Sequence, residues 1–152
     1  MTNKLITKSA ALLEDRGFSQ LTSAQDRQRK SGGITHIVAE HDDSGEVFLV
    51  RAKESCYQRL APFGKGMVDH AQSEDAMLVI YFDDIGFNVA DPEYVDTHGE
   101  EVKGQSKWES DENRVYLEIG LDDTVGLADY IHGSARPPTV EGGRNTGLGD
   151  FL

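Results

Sequence analysis

One cysteine, Cys56, stands among 152 residues, so no internal disulfide can form. A chain that lacks such staples fits a reducing compartment, and the expected location is the cytoplasm. Nowhere does the sequence carry an apolar run long enough to span a bilayer, and its first residues lack the apolar stretch of a signal peptide. Basic residues are scarce: 15 Lys and Arg face 27 Asp and Glu, for a net charge of −12. That balance excludes a broadly cationic nucleic-acid surface, so any DNA contact must come from a local basic patch. The acids are scattered rather than blocked, which suits the acidic coat of a protein adapted to high salt better than an acidic mimic of DNA. The five histidines (36, 41, 70, 98 and 132) have no zinc spacing and no cysteine pairs beside them, so a structural zinc is not expected. The glycines form no phosphate-binding loop.

What is present is enough for one folded domain, residues 1–133, followed by a Pro- and Gly-rich segment, residues 134–152, expected to be a flexible tail. Residues 3–16 have the period of an amphipathic helix, with Ile6, Ala10 and Leu13 on one face, joined by Leu5 and Leu12, and Gly17 as its stop. Phe18 to Ser23 is a short strand, and Ala24 to Gly33 a polar loop. Ile34 to Glu40 and Val47 to Lys53 form a hairpin around His41–Gly45. A helix is predicted over residues 59–72, with Pro62 in its first turn and Phe63, Met67 and Ala71 on one face. The run Ala76 to Phe82 is a strand buried on both faces. Phe87 to Ala90 and Val115 to Ile119 are further strands, and Thr124 to Ile131 a helix capped by Asp122 or Asp123 and ended by His132-Gly133. The order predicts an α/β (α+β) fold with a mixed central sheet flanked by helices.

The stretch Glu14-Asp-Arg-Gly-Phe18, the basic loop after it, Ile37-Val-Ala39 on one strand and Val50-Arg-Ala-Lys53 on the next resemble the PD-(D/E)xK nuclease-like superfamily. Archaeal Holliday junction resolvases and restriction-endonuclease-like proteins are closest in layout, over residues 3–90. The resemblance implies a restriction-endonuclease-like fold. It also implies a site in which carboxylates hold Mg²⁺ or Mn²⁺ and a lysine steadies the attacking water or the charged transition state. On this alignment Lys53 matches the family lysine and Glu14 its helix carboxylate. His36 stands at the aspartate position and Arg51 at the glutamate position. The implied site is therefore degenerate, with a cation where a metal ligand belongs. Two readings would restore a metal: Asp26 and Asp69 as migrated acids, or His36 as ligand to a softer divalent ion. Arg27, Arg29 and Lys30 form the densest basic cluster, a DNA-backbone contact in resolvase-like proteins or a solvated loop here.

The chain ends Asn145-Thr-Gly-Leu-Gly-Asp-Phe-Leu152. Leu148 and Phe151 are spaced so that one tight turn brings them to the same side, as a tethered ligand for another protein's groove would require. The octet is similar to the peptide by which replication and repair proteins bind the PCNA-like sliding clamp. Asn145 would hold the Gln position, Leu148 would be the aliphatic plug and Phe151-Leu152 the terminal pair. A terminus that folds back on its own core is the other reading. Together these features set three expectations: a degenerate nuclease-fold protein recruited to branched DNA by the clamp; an active metal-dependent endonuclease with migrated ligands; or a non-enzymatic clamp-interacting protein of a mobile element or virus. A two-fold homodimer follows from the resolvase resemblance alone.

Overall fold

A computed structural model describes residues 2–21, 35–103 and 115–140. The loop with Asp26, Arg27, Arg29 and Lys30 and the octet with Asn145, Leu148, Phe151 and Leu152 lie outside the described residues.

Helix α1, Thr2–Asp15, buries Leu5, Ser9 and Leu13, which recur every four residues on one face. Gly17 follows at φ +88°, a left-handed conformation open to glycine at no steric cost. Strand β1 is Phe18–Gln20, β2 Ile37–His41 and β3 Val47–Lys53, joined in an antiparallel meander with Ile37 opposite Val50. Strand β5, Met77–Phe82, lies parallel to β3, with Val50 opposite Val79. A parallel neighbour needs a crossover, and here it is made by strand β4, Leu60–Gly64, and helix α2, Lys65–Ser73. Strands β6, Gly86–Ala90, and β9, Val125–Gly126, complete a six-stranded mixed sheet of order β1-β2-β3-β5-β6-β9.

Strand β4 does not join that sheet. It is the edge of a second, antiparallel sheet with β8, Val115–Gly120, and β7, Glu100–Lys103, in the order β4-β8-β7. Helix α3, Pro92–His98, connects the two sheets, with the Asp91 side chain accepting from Tyr94 N at 3.0 Å and Pro92 at its start. Helix α4, Leu127–His132, ends at Gly133 with φ +78°.

The large sheet is covered on both sides, so the strands alternate between two cores. Leu5, Leu13, Ile37, Phe48, Val50, Val79, Tyr81 and Leu127 fill the core under α1 and α4. Val38, Leu49, Leu78, Ile80 and Phe82 meet Phe63, Met67, Val68, Leu117 and Ile119 on the side of α2 and the small sheet. A helix–sheet protein with a mixed multi-strand sheet is thus what the element order predicts.

Two expectations need correction. The helix over residues 59–72 is a strand and a shorter helix, because Leu60–Gly64 pairs with β8, Pro62 opposite Glu118. An edge strand tolerates proline, whose missing N–H is needed by no neighbour on the open side. The helix over Thr124–Ile131 begins later, at Leu127, and Asp122 and Asp123 belong to a 3₁₀ turn before it rather than to its cap. Helix α3 and strand β7 are additions that the hydrophobic pattern did not reveal. Beyond Gly133, residues 134–140 run back over the domain, with Pro137 buried and Val140 packed against the core of the small-sheet side.

Candidate functional site

Strand β3 has buried residues at alternate positions, so its two faces have different tasks. Phe48, Val50 and Ala52 enter the α1 side, which turns Arg51 and Lys53, with Leu49, toward the small sheet. His36, one residue before β2, shares the parity of Val38 and faces the same way. Continuing the Ile37–Val50 register by one step sets His36 opposite Arg51. The large sheet therefore brings His36, Arg51 and Lys53 together on one face.

Each of the three is held differently. His36 N donates to Val50 O at 2.9 Å, and its Nδ1 accepts from Ala52 N at 2.9 Å. An accepting Nδ1 leaves the ring proton on Nε2. Arg51 reaches across to the second sheet: its Nη1 donates to Pro62 O at 2.7 Å, and its guanidinium carbon lies 4.7 Å from the centre of the Tyr116 ring. Lys53 is partly buried, and its ammonium makes no hydrogen bond or ion pair among the described residues. Burial, and then the neighbouring Arg51 charge, hold its pKa below the ordinary lysine value, against the opposing pull of Cys56, Glu118 and Glu54.

The loop after Lys53 closes this end of the sheet. Gln58 and Arg59 both take left-handed φ values, 55° and 56°, which carry strain for residues with a Cβ. Arg59 is tied to Asp122 at 2.5 Å, and Cys56 N donates to Asp84 Oδ1 at 3.3 Å. Cys56 itself packs against the core, with Sγ 3.5 Å from Leu60 O.

The other site residues expected from sequence lie elsewhere. Glu14 is exposed beside Ala10, Leu13, Phe18 and Ile37, on the α1 side, across the sheet from Lys53. Asp69 is exposed on α2, whose neighbours Met67, Val68 and His70 turn inward. Among the described residues no three His, Cys, Asp or Glu side chains gather as a metal group requires. A hard divalent ion does not fit the described part of this face, where Arg51 presents a guanidinium bound to a carbonyl and a ring rather than a carboxylate. Sequence reasoning missed Pro62, Tyr116 and Glu118, which reach the site only through the pairing of β4 with β8.

No protein-family model matches the chain, and no curated protein matches it.

Proposed function

We propose that this chain is a DNA repair- or recombination-associated protein of restriction-endonuclease-like layout that works by binding and does not cut. The layout is supported by the antiparallel β1-β2-β3 meander, the parallel β3–β5 pair and the helix packed under them. The observation that carries the non-catalytic reading is Arg51. It occupies the position of a metal-binding acid in the resembling family, and its charge is already used to join the two sheets through Pro62 and Tyr116. Among the described residues Lys53 forms no ion pair and no group of metal-ligating side chains gathers beside it, so hydroxide generation on a metal has no support there.

Recruitment rests on the C-terminal octet, with Leu148, Phe151 and Leu152 docking the PCNA-like sliding clamp and Asn145 in the polar position. Arg27, Arg29 and Lys30, with Lys53 at the end of β3, supply phosphate contacts to branched DNA.

Calorimetry at high salt tests the recruitment: the sliding clamp of the source organism is titrated with the full chain and with a chain lacking residues 145–152. Binding that disappears with the truncation is the expected result, and equal binding by both forms overturns the tail assignment. The non-catalytic reading is tested on four-way, flapped and linear duplexes with Mg²⁺ or Mn²⁺ and clamp present. No cleavage is expected; cleavage lost in Lys53→Ala would make the chain an active endonuclease.

A further inference from the structure

A second cleft lies at the opposite end of β3 from Lys53, where the β2–β3 turn meets α4 and the segment leaving it. It has a volume of about 580 Å³, the size of a small-molecule site, and its lining includes Arg16, Arg136, His41, Tyr130 and the acids Asp43 and Glu46. Its walls come from the end of α1, the turn after β2 and the C-terminal end of α4, so three separate parts of the chain converge there.

The two arginines are exposed, and each lies against an aromatic ring. Arg16 lies over the Phe87 ring at 5.3 Å and Arg136 over the Tyr130 ring at 5.7 Å. Neither makes an ion pair among the described residues, whereas Lys8, Arg59 and Lys65 each hold an acid. In a chain with 27 acidic residues, two guanidiniums that share one cleft with Asp43 and Glu46 yet form no ion pair with either leave a place for an anion from outside. Stacking on a ring orients a guanidinium plane in advance, which lowers the ordering cost of a forked bond to phosphate.

The rest of the lining is equally set. Tyr130 OH donates to Glu46, and its ring meets Phe48 edge-on at 5.9 Å. His41 packs on Phe18 at 4.9 Å, with Nδ1 3.1 Å from Ser44 Oγ. Asp43 gives an exposed acceptor for a ligand hydroxyl or amine. We propose that this cleft binds a phosphomonoester carrying hydroxyl or amino groups, gripped by Arg16 and Arg136. That chemistry is offered by a free mononucleotide or by the 5′ end of a DNA strand.

Calorimetry on the full chain with AMP, and with a short oligothymidylate bearing either a 5′-phosphate or a 5′-hydroxyl, tests this. Saturable binding that needs the phosphate is expected. Arg16→Gln and Arg136→Gln should each weaken it about tenfold, the loss of one charge-assisted fork. Lys65→Gln, which removes the same charge from a remote ion pair, should leave it unchanged, and melting curves confirm that all variants fold. Tighter binding of the phosphorylated strand than of AMP assigns the group to a DNA end; the reverse assigns it to a free nucleotide. Absence of saturable binding by both probes, or arginine variants that bind like the parent, overturns the proposal.

Discussion

Arg51 on β3 donates to the carbonyl of Pro62 on β4 at 2.7 Å, and through that bond the six-stranded sheet is joined to the small one. The carbonyl belongs to an edge strand, and the guanidinium also covers the Tyr116 ring on β8. Arg51 is thus a connector between layers.

Replacing Arg51 tests that task. Arg51→Ala leaves Pro62 O without its charged donor and uncovers Tyr116, with an expected loss of about 1–3 kcal/mol in urea unfolding. Arg51→Glu should cost more than alanine, because a carboxylate would face a carbonyl oxygen. Equal stability of Arg51→Glu and the parent would show that the bond does not join the sheets.

Lys53 should make stability depend on pH in a defined sense. Its folded pKa is below the ordinary 10.5, so the folded state holds its proton less tightly than the unfolded chain does. The resulting penalty is complete below the folded pKa and fades as pH rises from there toward 10.5, so stability rises across that window. Lys53→Met removes the penalty. The variant's advantage over the parent should be largest near neutral pH and shrink toward pH 10.5, as measured by paired denaturant titrations. An advantage that is independent of pH would place its cause in packing.

Tyr130 should act with the opposite sign. Burial, and then the bond to Glu46, raise its pKa above the ordinary 10.0, so the folded state keeps the phenol proton longer than the unfolded chain does. The stabilisation is complete below pH 10.0 and is lost as pH rises through the folded value. Tyr130→Phe keeps the edge-on contact with Phe48 and removes the donor to Glu46. It should cost about 1–2 kcal/mol at neutral pH, and that cost should diminish in strong alkali. Thermal melts of both proteins from pH 8 upward provide the check.

Gly99, which ends α3, is a packing position. A Cβ built there would lie 2.5 Å from Val95 O and 3.0 Å from Leu117 Cβ. Its φ of −68° suits any residue, so the constraint is space and not backbone conformation. Gly99→Ala should destabilise by about 1–3 kcal/mol, as overpacking in a close-packed interior does. A variant as stable as the parent would mean that α3 moves away from β8 at no cost.

Much of the fold was readable along the chain. Leu5 and Leu13 carry the helical period of α1, and the buried run of β5 follows from a strand covered on both faces. Gly133 marks the end of α4 because its φ of +78° is a glycine conformation. Residues 60–64 misled for a physical reason: Phe63, Met67 and Ala71 keep a helical spacing even though Phe63 is in a strand, since strand and helix bury them in the same core. Helix α3 had a signal in Asp91-Pro92, a capping residue followed by proline, that hydrophobic periodicity alone does not register. Strand β7 is too charged to resemble a strand, and only its pairing with β8 defines it.

By itself the sequence determined what depends on near neighbours: the amphipathic face of α1, the β2–β3 hairpin, the doubly buried β5, the acidity of the surface, and the place of Arg51 and Lys53 on one face of a strand. The tertiary structure decided what depends on residues far apart in the chain. It set Arg51 against Pro62 and Tyr116, put Glu14 across the sheet from Lys53, and joined Glu46 to Tyr130 over a separation of 84 positions. Periodicity fixes which way a side chain points, because it follows from local backbone geometry. What that side chain meets is fixed by the pairing and packing of distant elements, which no local pattern records.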